Sequence, residues 1–141
     1  LHLLSRRQRQ MCIRDSSGPD DFEEAREHGD QNYSCRDVRR LGIDRILKEF
    51  GLAKQFVVCF DIDAMDAVYA PATGSPMFGG FNYDEAVDIL EAIGSSSDLK
   101  GIVMTEVAPP FDDIGGTTGY LAARLISDLL GFAMKRKEAL R

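Results

Sequence analysis

The sequence predicts an α/β protein built on a parallel sheet, and three observations carry that prediction. Two runs, Gln55–Phe60 and Gly101–Val107, are apolar almost throughout, as strands are when helices cover both faces of a sheet. Between them, Tyr83–Ile93 carries a helical apolar stripe. Further helical patterns precede the first strand and follow the second. Helix, strand, helix, strand, helix is a βαβ crossover with flanking helices.

The elements follow in order. DDFEEAREH, Asp20 to His28, reads as a short helix running from an acidic to a basic end. Ser34 opens SCRD, a capping-box pattern with Asp37 in the place usually held by Glu or Gln. Val38, Leu41, Ile43, Ile46, Leu47 and Phe50 form a stripe broken near Gly42, which predicts two short helices. After the strand Gln55–Phe60, Asp61 to Phe81 reads as a long ordered loop. In the helix Tyr83–Ile93, Ala86, Ile89, Leu90 and Ile93 share a side, and Gly94 stands as its stop. A Pro-Pro loop follows the second strand. Thr117–Lys135 is the longest helix, with Leu121, Ala122, Leu125, Ile126, Leu129 and Leu130 recurring along it. Two strands are few for such a sheet, so the chain reads as part of a larger domain.

Composition narrows the function classes. The 141 residues are 44% hydrophobic with a formal net charge of −6, which disfavours a nucleic-acid partner held through phosphates. No apolar run is long enough to span a membrane. Cys12, Cys35 and Cys59 show no metal-ligand spacing and read as reduced thiols of a cytoplasmic protein. Residues 1–16 differ from the rest: four arginines and one aspartate give +3, against −9 for the remainder. No apolar core follows them, as a signal peptide requires. RRQRQMCIRDS resembles translated sequencing-adapter sequence, so 1–16 are set apart as non-native and 17–141 taken as the C-terminal part of one domain.

The chemistry concentrates in QFVVCFDIDAMDAVYAPATGSPMFGG, Gln55–Gly80. Asp61 and Asp63 stand two apart at the end of an apolar strand, where period-two alternation predicts that both project from one face. The carboxyl ends of strands are the ligand-binding rim of an open α/β sheet. Two adjacent carboxylates repel unless a positive charge lies between them, and hard oxygens suit magnesium, manganese or calcium. Capping or pairing with arginine explains such a pair equally well. Glu106, at the end of the second strand, should open on the same rim, where a carboxylate fits a guanidinium bidentately; a surface acid near a turn is the plainer alternative. Pro71, Gly74, Pro76, Gly79 and Gly80 allow a rigid loop whose backbone nears a ligand, and Thr73 can offer its hydroxyl or serve ordinary turn chemistry. Of Asp112 and Asp113, one suits the start of the Thr117 helix, or a place in solvent, better than a metal. His28 reads as exposed, and Met65 and Met77 as loop packing.

Taken together, FDIDAMDAVYAPATGSPMFGG, then MTEVAPPFDD, then GTTGYLAARLISDLL resemble the ureohydrolase superfamily of arginase and agmatinase, from about Tyr33 to about Lys135. The family pattern has Pro after the third aspartate and a G-T-P core; here Ala67 follows Asp66 and Ser75 replaces the Thr. The resemblance implies a three-layer α/β/α fold with two manganese ions. Asp61 would match the carboxylate bridging them and Asp63 a ligand of one. Glu106 would match the acid that binds the substrate guanidinium, and Thr73 a residue lining the site. The implied reaction is hydrolysis of a guanidino group to urea and an amine, with the metal pair activating the water. FDDIGGTTGYLAARLISDLL resembles the agmatinase branch more than arginase proper. The family also implies a trimer or hexamer.

The family's remaining ligands, a further histidine and a D-x-H-x-D motif, find no match in Leu1–Phe60. Two of six ligands imply a chain that is inactive by itself. Two other readings compete. One is a non-catalytic subunit of a ureohydrolase-like oligomer. The other is a haloacid-dehalogenase-like magnesium phosphatase, with Asp61 and Asp63 as its D-x-D, Lys100 as its lysine and Asp112–Asp113 as its later acidic pair.

Overall fold

The computed structural model describes residue 27 and residues 33–50, 55–96 and 98–141. His28, Cys12, residues 1–16 and nearly all of the Asp20–His28 helix lie outside the described residues. The elements are α1 (Cys35–Leu41), α2 (Ile43–Phe50), β1 (Gln55–Asp61), α3 (Tyr83–Ser96), β2 (Asp98–Thr105) and α4 (Thr117–Ala139). Single 3-10 turns occupy Ile62–Ala64 and Pro109–Phe111.

Local chemistry explains the starts and stops. The Ser34 side chain accepts from Asp37 N–H and the Asp37 carboxylate accepts from Ser34 N–H, closing the expected capping box. Gly42, at φ 80°, ends α1 and lets the chain turn directly into α2. A second reciprocal box opens α3: Asn82 Oδ1 accepts from Glu85 N–H, and Glu85 Oε2 from Asn82 N–H, each at 2.9 Å. Gly94 does not stop α3, which runs to Ser96. A Cβ there would lie 3.0 Å from the Phe132 Cβ and 3.2 Å from Leu129 Cδ1, so this glycine lets α3 and α4 approach closely.

β1 and β2 are parallel neighbours, in register from Gln55↔Asp98 to Asp61↔Thr105, with Lys100 as the extra residue between Phe56 and Val57 pairings. β2 therefore begins and ends earlier than Gly101–Val107. One sheet face, with Phe56, Val58, Phe60, Leu99, Ile102 and Met104, packs on Ala86 and Leu90 of α3 and Ala122, Leu125, Leu129 and Ala133 of α4. Full burial of each leucine is worth about 1.5–3 kcal/mol. Val57 and Val103 on the other face are 58% and 46% exposed, so among the described residues helices cover one face of these apolar strands. α2 packs beside α3 and seats Ile46 in the interior.

The Asp61–Phe81 loop is held at its base by parallel bridging of Met65 and Phe81. Met65 is buried, whereas Met77 is 42% exposed and does not pack as expected.

Candidate metal and guanidinium site

Asp61 and Asp63 both lie at the sheet rim, but strand alternation does not relate them. β1 ends at Asp61, and Asp63 lies in the 3-10 turn that follows. The buried Asp61 carboxylate caps that turn, its Oδ1 accepting from the Asp63 N–H at 3.0 Å. Oδ1 of Asp63 is also shielded from solvent. The local backbone thus folds back so that one carboxylate holds the peptide that carries the other.

Asp66, the third aspartate of the motif, organises the loop. It accepts from Val68 N–H at 3.0 Å and from Gly79 N–H at 2.7 Å. The Val68 bond first, then the Gly79 bond, with Arg39 nearby, holds its carboxyl below the usual range. Gly80 passes so close to this segment that a Cβ would sit 2.3 Å from the Met65 carbonyl carbon and 2.4 Å from the Asp66 nitrogen. Arg39 of α1 closes the other side. It grips Glu85 through Nε to Oε1 at 2.6 Å and Nη2 to Oε2 at 2.9 Å, and donates from Nη2 to the Gly80 carbonyl at 2.7 Å. This guanidinium is the main reason the Glu85 pKa falls to about 2. The N-Y-D-E spacing was the available signal for the α3 box; nothing in the sequence marked Arg39 as its partner.

Glu106 follows Thr105, the register partner of Asp61, so it stands one residue beyond the aspartate on the neighbouring strand. Among the described residues it is the non-glycine with positive φ, at 61°. Left-handed backbone costs such a residue roughly 1–2 kcal/mol and marks a place where structure holds the chain in a set conformation. Its Oε2 lies 3.3 Å from where a Gly74 Cβ would be. Thr73, beside Gly74, is buried, and its Oγ1 accepts from Ser75 N–H at 2.9 Å. Turn chemistry therefore uses the hydroxyl as acceptor and leaves its proton to donate elsewhere. The structure brings Glu106 and the Thr73–Gly74 turn together.

Two bonds fix that turn. Ala72 carbonyl accepts from Ala108 N–H at 2.9 Å, and Ala72 N–H donates to Thr118 Oγ1 at 3.1 Å. Asp112 and Asp113 both serve the start of α4, where one of the two was expected to. Asp112 accepts from Thr118 N–H at 3.0 Å and Gly119 N–H at 2.9 Å, and Asp113 from the Thr117 amide at 3.1 Å and hydroxyl at 2.5 Å. These bonds hold both carboxyls below the usual range: the Gly119 N–H weighs most at Asp112, the Thr117 hydroxyl at Asp113. Thr118 was not singled out from the sequence.

The donor set suits manganese in kind: two rim carboxylates offering hard oxygens. In number it falls short, since among the described residues no group of three or more His, Cys, Asp or Glu side chains converges on a metal position.

The sequence profile of the Arginase family matches residues 2–131. The chain belongs to the arginase family. It is 34% identical over 128 residues to bovine "Arginase-2, mitochondrial", covering 84% of this chain and 36% of that one. It is 35% identical over 118 residues to a guanidinopropionase of Pseudomonas aeruginosa, covering 79% and 36%. The agmatine ureohydrolase of Thermoplasma volcanium superposes with a TM-score of 0.73 at 26% identity, covering 88% of this chain and 41% of that one. The chain thus spans little more than a third of the length of these curated relatives. Arginase-family membership confirms the resemblance and the α/β fold. It also displaces the phosphatase alternative, whose acidic pair Asp112–Asp113 is occupied in starting α4.

Proposed function

We infer that this chain contributes the guanidinium-binding side of a ureohydrolase site, which cleaves a small cationic guanidino compound to urea and an amine. The observation that supports it is the seating of Glu106, a strained acid held against the Thr73–Gly74 turn one residue past the pairing partner of Asp61. The Glu106 carboxylate accepts two guanidinium N–H bonds side by side, which fixes the plane of the substrate. Thr73 lines the site beside it, and the turn keeps a close backbone there. Asp61 and Asp63 would hold manganese, which when bound supplies water of lowered pKa for addition to the guanidinium carbon. Among the described residues two carboxylates do not complete a binuclear centre, so turnover would need further ligands, and the chain by itself is expected to release no urea.

Agmatine is the preferred substrate, on the FDDIGGTTGYLAARLISDLL ending. The relatives' names range over arginase, guanidinopropionase and agmatine ureohydrolase, so one scaffold serves several guanidino compounds. A trimer or hexamer and a cytoplasmic location complete the reading. The thiols of Cys35 and Cys59 are free, which suits a reducing compartment. Among the described residues no helix is long and apolar enough to cross a membrane. Titration of the isotope-labelled chain with agmatine tests the central point by NMR. Saturable shifts at Glu106, Thr73 and Gly74 that vanish in Glu106→Gln are expected. Shifts that ignore the substitution would overturn the assignment.

A further inference from the structure

Thr118 lies on the far side of the substrate turn from Glu106, at the start of α4, and it is completely buried. Its hydroxyl oxygen accepts the N–H of Ala72, itself completely buried. The Ala72 carbonyl in turn accepts from Ala108, two residues past Glu106. The Thr118 amide is anchored to Asp112. One continuous chain of bonds therefore runs from Asp112 through Thr118 and Ala72 to the segment that carries Glu106. Thr73, next in sequence to Ala72, shares the same support. Glu106 holds a positive φ that it would not adopt unaided, and the Ala72–Ala108 bond is the tertiary contact that ties down its exit.

We propose that Thr118 is a positioning residue for guanidino-substrate recognition: its hydroxyl sets the Ala72–Thr73–Gly74 turn at the height where Glu106 closes on a guanidinium. The role is indirect, since Thr118 reaches the site only through the turn. It rests on the guanidinium reading of Glu106, yet it makes a separate statement about which bond controls that carboxylate. Valine keeps the shape of threonine but cannot accept the Ala72 N–H, leaving a buried donor without its acceptor. Losing such a bond weakens a dependent equilibrium by roughly five- to a hundredfold. Serine keeps the hydroxyl and drops only a methyl.

The test compares wild type, Thr118→Val and Thr118→Ser of the full chain, with agmatine as the probe and amide hydrogen exchange as a second readout. Thr118→Val should bind agmatine roughly tenfold or more weakly, move the Glu106 amide resonance, and speed exchange at Ala72 and Ala108 together. Thr118→Ser should restore all three, a rescue that a simple loss of packing would not give. Wild-type affinity together with unchanged exchange in Thr118→Val overturns the proposal. If wild type and Glu106→Gln bind agmatine alike, the guanidinium reading fails. The positioning claim is then decided by the Glu106 resonance and the two amides, which must still respond to Thr118→Val. If Thr118→Val does not fold, native-state exchange of the wild type decides. Ala72 and Ala108 opening in one shared event supports the linkage, and independent opening overturns it.

Discussion

Glu106 and Gly74 are fitted to each other: Oε2 of the acid lies 3.3 Å from the point where a β-carbon on the glycine would stand. That distance is tight for carbon against oxygen, but the atom in the way is the end of a flexible side chain. Gly74→Ala should therefore change stability by only about 0.5 kcal/mol. It should nonetheless displace the carboxylate and weaken agmatine binding severalfold. Denaturant unfolding and an agmatine titration on the same variant separate the two effects.

The left-handed backbone of Glu106 makes a second prediction. Glycine adopts this φ freely, which recovers roughly 1–2 kcal/mol, while its looser unfolded chain gives back about 0.5–1. Glu106→Gly should stabilise the fold by about 0.5–1 kcal/mol and abolish guanidinium recognition, whereas Glu106→Gln should lose recognition with no gain in stability. Urea melts of the two variants check the contrast.

Gly80 has no such latitude, because the atoms a β-carbon would strike are backbone: the Met65 carbonyl carbon at 2.3 Å and the Asp66 nitrogen at 2.4 Å. Gly80→Ala should cost about 3 kcal/mol, near the upper end for overpacking. It should also loosen the turn after β1 that carries Asp63. Thermal unfolding measures the cost, and exchange at the Asp66 amide, which is bonded to the Phe81 carbonyl, reports the loosening.

Acid sensitivity follows from Arg39 and Glu85. The Glu85 carboxyl drops from 4.5 to about 2 on folding, chiefly through the Arg39 guanidinium. A depressed acid stabilises the fold above its unfolded pKa and loses that contribution as pH falls from 4.5 toward 2. The side chains are 28% and 41% exposed, so solvent screening limits the pair to about 1 kcal/mol. Glu85→Gln should flatten the decline in stability between pH 4.5 and 2 and change little at pH 7 beyond that amount. Denaturant midpoints across the range decide it.

The parts legible in the sequence were those set by local pattern. The apolar run before Asp61, the Ser34 capping box, the break at Gly42 and a helix-starting acid at Asp112 or Asp113 all came from residue type and spacing. What escaped was set by tertiary contact. Gly94 has the chemistry of a helix stop, yet α4 packs so near that glycine is needed for its small size. The D-x-D spacing suggested strand alternation, but the Asp61 side chain captured the Asp63 amide and ended the strand. Thr118 and Arg39 act across 46 and 41 residues, on Ala72 and on the Gly80 carbonyl, and no periodicity encodes such partners.

The most direct measurement is urea release by a chimera in which residues 55–139 replace the matching segment of the Thermoplasma volcanium agmatine ureohydrolase, assayed with manganese and agmatine. Release that falls roughly a hundredfold in Asp61→Asn and in Glu106→Gln is the predicted result. A folded, manganese-loaded chimera that releases no urea, or one whose activity is untouched by either substitution, would contradict the assignment of Asp61 and Glu106 to one guanidino-hydrolysing site.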